Sequence, residues 1–270
     1  MKTLDISDLR KDIGKKIKAG IEELGREVTV ATVRIGENPS DISYEKGVAK
    51  NCEKLGINHE KVVISEDDAE SVIDTIKDLN EKVDGILVFR PFKDKDLENR
   101  ALHVISPEKD IDAMGIESLA RVFNGEDDTF YPATAMAVRE IVNYYDFDVS
   151  DVVIVNRSLV LGKPLQILFL KDNLTVTMCH SKTKDMKRYT KKADLVVTAT
   201  GRAKMFDDSY FTKDTYVVDV GVSKDRDGKL SGDVDPDVKV KALVNEVGKI
   251  TTRVLLLQMV QAALKREKSN

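Results

Sequence analysis

Residues Asp151–Thr183 read DVVIVNRSLVLGKPLQILFLKDNLTVTMCHSKT. An apolar run, Val152 to Val155, is a strand, and it enters the polar turn Asn156-Arg157-Ser158. Gly162-Lys163-Pro164 then opens an apolar helix, and a second strand, Leu174 to Met178, ends at Cys179-His180-Ser181. This is one β-α-β unit. A turn between strand and helix offers free backbone N–H groups at the positive end of the helix dipole, so it suits a nucleotide phosphate. Ser158 and Gly162 supply the small residues that close approach needs. A full G-x-G-x-x-G is absent. An NAD site ordinarily places an acid at the end of the second strand to bond the ribose hydroxyls. Here that place reads His180-Ser181-Lys182. Arg157, Ser181 and Lys182 around one ribose suit a 2′-phosphate, so NADP is expected, with NAD left open. The plainer alternative is that Arg157 and Lys182 are solvated surface charges.

Outward from this unit, helical and strand patterns alternate from end to end, the mark of an α/β fold. Helices are predicted at Ile6–Leu24, Ser40–Leu55, Ala69–Glu81, Lys95–Ile105, Thr134–Tyr145 and Gly248–Lys265. Strands are predicted at Glu27–Ile35, His59–Ser65, Gly85–Phe89, Leu195–Thr198 and Tyr216–Val220, with a hairpin edge at Gly228–Asp233. Gly85–Phe89 (GILVF) is continuously apolar, as buried parallel strands are. Thr200-Gly201-Arg202 and Gly221-Val222-Ser223 follow two such strands, where ligands of open parallel sheets sit. Thr200, Gly201, Gly221 and Val222 are therefore cofactor candidates, although either glycine could be a simple turn residue. The pattern predicts two α/β domains, the second a Rossmann-type parallel sheet. Residues 1–135, joined by the last helix at 248–270, make the first, and 136–247 the second.

The 270 residues are 41% hydrophobic and 33% charged, enough for a buried core with a soluble surface. A net charge of −4 argues against general nucleic-acid binding. No apolar run approaches the roughly 20 residues that span a bilayer. The first residues, MKTLDISDLRKDIGKK, lack a secretory core and carry acids. Cys52 and Cys179 are far apart, so no disulfide framework is expected. A cytoplasmic protein is the simplest expectation. His59, His103 and His180 have no metal-ligand spacing, Cys179 reads as buried packing, Lys182–Lys192 as a solvated helix face, and Lys265–Asn270 as a frayed tail.

The motifs resemble those of the bifunctional methylenetetrahydrofolate dehydrogenase/methenyltetrahydrofolate cyclohydrolases over nearly the full length. The family's G-R-S-x-x-V-G-x-P stands here as Asn156 to Pro164, and its T-x-x-H-S-x-T as Thr177 to Thr183. Its A-x-G and D-x-G-[IV] match Ala199-Thr200-Gly201 and Asp219-Val220-Gly221-Val222, and its G-D-V matches Gly232-Asp233-Val234. P-x-K-D-V-D-G is similar to Pro107 to Ala113, S-x-x-Y to Asp41 to Tyr44, and K-x-x-E-x-x-G-I to Lys50 to Ile57. The resemblance implies hydride transfer from a reduced folate to NADP⁺ and a folate site in the cleft. It places a substrate cleft between the two α/β domains, and implies that Tyr44 stacks or hydrogen-bonds near the pterin, that Asp112 accepts from the pterin's amino and ring N–H groups, and that Val88, Gly248 and Thr251 touch substrate. Tyr44 and Asp112 are the catalytic candidates. The cofactor set is Asn156, Arg157, Ser158, His180, Ser181, Thr200, Gly201, Gly221 and Val222. A homodimer is also implied. Without the family, Tyr44 would read as an ordinary helix residue and Asp112 as a turn or cap.

The departures from the family cluster around one of its two activities. In its helix motif Y-x-x-x-K-x-K the first lysine drives the cyclohydrolase step, and here that place is Val48. Lys46 points to the opposite side of the helix from Tyr44 and Val48, and Lys50 lies about 120° away. V-Q-L-P-L becomes Val88-Phe89-Arg90-Pro91-Phe92, so phenylalanine replaces the assisting glutamine. By strand alternation Arg90 is expected to point away from the side of Phe89. The P-C-T-P-x-G segment becomes Pro132 to Ala137, and the P-V-P-G-G-V-G-P-M-T loop becomes Leu243 to Thr251. The expectation is a dehydrogenase with weak or absent cyclohydrolase activity. The alternatives are a fully bifunctional enzyme, a non-catalytic folate or nucleotide binder, and a two-domain dehydrogenase of the shikimate or amino-acid type. The last should carry a substrate-binding Lys–Asp pair that this chain lacks.

Overall fold

The computed structural model describes residues 2–225 and 227–269. The chain divides into two compact units: residues 11–133 with 252–270, and residues up to Arg10 with 134–251. It passes from one to the other within helices α1 (Ser7–Leu24), α6 (Ala133–Tyr144) and α9 (Gly248–Ser269).

The first unit holds a three-stranded parallel sheet with β2 (Thr29–Ile35) central, flanked by β3 (Asn58–Ile64) and β4 (Gly85–Val88). Helix α2 (Pro39–Leu55) begins at Asn38, whose side chain accepts from Ser40 N–H, and ends at Gly56 in the left-handed region, a start and a stop both legible in sequence. Helices α3 (Val72–Lys82) and α4 (Lys95–His103) cover a core of Val33, Ile76, Ile86, Val88, Leu97 and Ala101. A nine-residue helix, α5 (Ile116–Asn124), stands where no element was predicted. Inside this unit α9 is tied to Tyr131 through Gln258, whose Oε1 accepts from Tyr131 N–H and whose Nε2 donates to Tyr131 O. Val254–Leu257, Met259 and Val260 are all buried, so this middle stretch of α9 is apolar around its circumference. The predicted frayed tail is mostly helical: α9 runs to Ser269, while Asn270 lies outside the described residues.

The second unit is one six-stranded parallel sheet. Its strands are β5 (Asp151–Val155), β6 (Thr175–Cys179), β7 (Leu195–Thr198), β8 (Tyr216–Asp219), β11 (Ala242–Val244) and β1 (Lys2–Thr3). The spatial order is β1-β11-β8-β7-β5-β6. Helices α7 (Gly162–Lys171) and α8 (Lys187–Thr190) follow β5 and β6, so only four residues of the lysine-rich stretch are helical. The predicted hairpin is the short antiparallel pair β9 (Ser223–Lys224) with β10 (Leu230–Ser231). The N-terminus, expected with the first domain, belongs here because Lys2 and Thr3 pair with Ala242 and Leu243. Strands of two or three residues carry no readable period, which is why β1 and β11 were not anticipated.

Candidate functional site

Strand order reverses around β5. β6 lies on one side of it and β7 on the other, so the loops leaving their carboxyl ends open a crevice. A recess of about 190 Å³ occupies that place, lined by Asn156, Arg157, His180, Ser181, Thr200 and Arg202, with Met186 and Met205 beside them. None of its lining residues is acidic. Arg157, Ser181 and Arg202 are exposed. The recess thus offers two guanidiniums and a hydroxyl, the donors a phosphate monoester takes.

Asn156 builds the turn. Its Oδ1 accepts from Ser158 N–H (2.8 Å), Ser158 Oγ–H (2.7 Å) and Gly162 N–H (3.1 Å). Its Nδ2 donates to Ala199 O at 2.7 Å, tying β5 to the end of β7. Ser158 Oγ also accepts from Leu161 N–H. A Cβ at Gly162 would lie 2.2 Å from Asn156 O, so glycine is required there by the chain's own backbone. Behind the lining residues Thr200 and Arg202, the fully buried Asp233 carboxylate accepts from Thr200 N–H, Thr200 Oγ–H (2.9 Å) and Arg202 N–H (2.8 Å). Asp219 accepts from Thr198, Gly221 N–H and Val234 N–H, each at 3.0 Å. Burial, acting against those donors, pushes its pKa up to about 6. A Cβ on Gly221 would fall 2.1 Å from the Asp233 carboxyl carbon. His180 Nδ1 accepts from Lys182 N–H at 3.1 Å.

A second cluster stands in the other unit. Ile86 bridges to Asp110 and donates to Lys109 O, so the 107–112 loop lies along β4. That brings Asp112 to the residues leaving β4: Arg90 Nη2 donates to Asp112 Oδ2 at 2.8 Å. The Tyr44 ring meets Phe89 edge-on, with centroids 5.7 Å apart. Burial raises the Asp112 pKa to about 6 against the opposing charge and hydrogen bond of Arg90. The Tyr44 phenol is raised too, first by burial and then by the Asp112 charge. Val48 is fully buried, while Lys46 and Lys50 are exposed. Glu45, next to Tyr44, is buried in ion pairs with Arg34 (3.2 Å) and Lys61 (3.3 Å) that fasten α2 to the sheet.

Residues 4–112 match the catalytic domain, and residues 132–267 the NAD(P)-binding domain, of tetrahydrofolate dehydrogenase/cyclohydrolase. The chain belongs to the tetrahydrofolate dehydrogenase/cyclohydrolase family. The bifunctional protein FolD of Clostridium botulinum is 44% identical over 245 residues, 87% of each chain. That of Clostridioides difficile is 38% identical over 94% of this chain and 91% of its own. The crystal structure of a bifunctional methylenetetrahydrofolate dehydrogenase/cyclohydrolase from Campylobacter jejuni superposes with a TM-score of 0.92 at 30% identity, covering 98% of this chain and 99% of that one.

Within this family's two-domain α/β fold, the structure brings Asn156, Arg157, His180, Ser181 and Thr200 to one recess, and Tyr44 and Asp112 to one cluster. Other expected site residues stand elsewhere. The N–H and hydroxyl of Ser158 are both taken by Asn156, so Ser158 and Gly162 shape the turn rather than present free donors. Gly201, Gly221 and Val222 do not line the recess, and Val222 is 64% exposed. Val88 packs into the core with Val33 and Leu97. Gly248 opens α9, and Thr251 Oγ–H donates to Val247 O one turn back. Arg90 does not turn away from the cluster: β4 ends at Val88, so strand alternation no longer governs Phe89 and Arg90. Arg202 was missed, although a basic residue after a strand-end glycine was the available signal. Among the described residues no helix is long and apolar enough to cross a membrane.

Proposed function

We propose that this chain oxidises 5,10-methylenetetrahydrofolate to the 5,10-methenyl cation with NADP⁺, and that it hydrolyses that product weakly or not at all. The observation that carries the second half is the apolar pair at the positions of the family's lysine and glutamine. Val48 is fully buried, and Phe89 packs edge-on against Tyr44. The residues around the recess fit the dinucleotide, since two guanidiniums and a serine hydroxyl stand where a phosphorylated ribose would be held, with no carboxylate to repel it. The nicotinamide ring supplies the hydride acceptor when bound. Arg157 and Ser181 hold the 2′-phosphate, and Asn156 and Asp233 keep the loops that form the crevice. Tyr44 and Asp112 bind and orient the pterin.

The two reactions make different demands on the chain. In the first, the methylene C–H bond breaks with its electron pair leaving as hydride, and a ring-nitrogen lone pair forms the C=N⁺ bond. No proton moves, so positioning suffices. Hydrolysis needs a water activated and protons relayed, help typically worth about 10²–10⁴-fold. An aliphatic and an aromatic side chain supply neither.

The test is a pair of spectrophotometric assays on the purified protein: NADPH formation from methylenetetrahydrofolate, with NAD⁺ run in parallel, and decay of methenyltetrahydrofolate. NADPH formation with decay close to the uncatalysed rate is expected. Decay well above that rate and abolished by Tyr44→Phe would sink the monofunctional reading. A strong NAD⁺ preference would refute the roles of Arg157 and Ser181.

A further inference from the structure

Relative to its family the chain has lost one cation and gained another. The helix position of the lysine is Val48, and the strand-end position of a leucine is Arg90, whose guanidinium reaches Asp112. We propose that Arg90 is a positioning residue for folate binding, holding the Asp112 carboxylate ionised, acceptor-only and in one orientation. This rests on the reading of Asp112 as the pterin's anchor.

The geometry assigns each oxygen a task. Arg90 Nη2 occupies Oδ2 at 2.8 Å, and no described residue hydrogen-bonds Oδ1. One oxygen fixes the rotamer, and the other is left to accept from a ligand. The pterin's amino and ring N–H groups are donors, so they need an ionised carboxylate; a protonated one would offer a donor of its own. Asp112 is about a quarter exposed, and burial works against its charge. The titratable or charged groups facing it are Arg90 at the end of β4, Asp110 in its own loop, and Tyr44 on α2. Of these, Arg90 alone favours the ionised form. Asp110 is itself held by Gly115 N–H at 2.7 Å, and Glu98, which also feels Arg90, by Phe92 N–H at 2.7 Å. Arg90 also leaves its buried Nε–H without a hydrogen-bond partner among the described residues. A leucine would avoid that cost, so stability alone does not account for the arginine. Nor can it restore the lost hydrolysis, because a guanidinium does not give up its proton in a protein.

The experiment is the pH dependence of kcat/KM for methylenetetrahydrofolate, which reports groups of the free enzyme. It compares wild type, Arg90→Leu, Arg90→Lys and Asp112→Asn from mildly acidic to alkaline pH, a range that takes in the wild-type limb. Removing an opposite charge at contact moves a carboxyl by roughly 1–3 units. The acid limb of Arg90→Leu is therefore expected about 1–2 units higher, with kcat/KM lowered roughly two- to tenfold at neutral pH, mainly through KM, and recovering at alkaline pH. The KM for NADP⁺ should be unchanged. Arg90→Lys keeps the charge and should keep the limb near its wild-type position, which leaves the idea testable if the leucine variant fails to fold. A uniform fall at every pH with an unmoved limb, or no change at any pH, overturns the proposal. Asp112→Asn should lose folate affinity at every pH; if it does not, the anchor reading has failed rather than the link between Arg90 and Asp112.

Discussion

Replacing Asn156 by alanine removes one side chain and four hydrogen bonds. Oδ1 accepts from Ser158 N–H, Ser158 Oγ–H and Gly162 N–H, and Nδ2 donates to Ala199 O. The serine hydroxyl can turn to water, so three bonds count. At about 1 kcal/mol net for each, the ordered turn is weakened by roughly 2–3 kcal/mol. The loss falls on the loop between β5 and α7, whose reordering NADP⁺ binding must then drive. With 1.4 kcal/mol per tenfold, the Kd for NADP⁺ is expected to rise roughly 30- to 150-fold. Asn156→Asp keeps the acceptor but replaces the donor with a charged oxygen that faces Ala199 O and the bound phosphates, so a loss larger than the roughly fivefold of one bond is expected. Calorimetric titration with NADP⁺ measures both variants, and thermal melts with and without cofactor locate the loss. If Asn156→Ala leaves the Kd within about threefold of wild type, the turn is held by something other than this carboxamide, and Asn156 does not order the recess.

Two further outcomes follow from the same geometry. Gly162→Ala places a methyl 2.2 Å from Asn156 O and 2.9 Å from Arg157 N, both backbone atoms that cannot swing aside. Lower melting by the equivalent of about 1–3 kcal/mol and weak NADP⁺ binding are expected, and unaltered binding would contradict the packing described. Asp84 accepts from Arg26 at 2.9 and 3.1 Å and from Thr29 N–H at 2.9 Å. Burial opposes its charge, but those donors outweigh burial and hold its pKa below the usual range. A carboxyl depressed in the folded state stabilises above its unfolded pKa and loses that contribution as pH falls through the folded value. Asp84→Asn should therefore melt lower than wild type at neutral pH, by about 1–3 kcal/mol, with the gap closing below about pH 4. A gap that persists in acid would show that the charge is not what matters.

The sequence by itself determined much of this protein. Alternating strand and helix patterns, with caps such as Asn38 and Gly56, set the α/β class and most elements, because these are local properties of a few consecutive residues. The absence of an acid at His180-Ser181-Lys182 was equally legible, and so was an apolar residue, Val48, on the helix face of Tyr44, since each depends only on which residue follows a strand or shares a helix face. Tertiary structure decided what distant segments do to one another. Ser158 reads in the sequence as a small residue in a phosphate turn, and the fold adds that its N–H and hydroxyl both donate to the carboxamide of Asn156. Arg90 looked turned away, yet the 107–112 loop, laid along β4 by the Ile86–Asp110 bridge, brings Asp112 within hydrogen-bond reach. Lys2 and Thr3 join a sheet whose partner strand lies some 240 residues on. Periodicity records which way a side chain faces from its own element. It does not record which backbone or carboxylate will stand opposite.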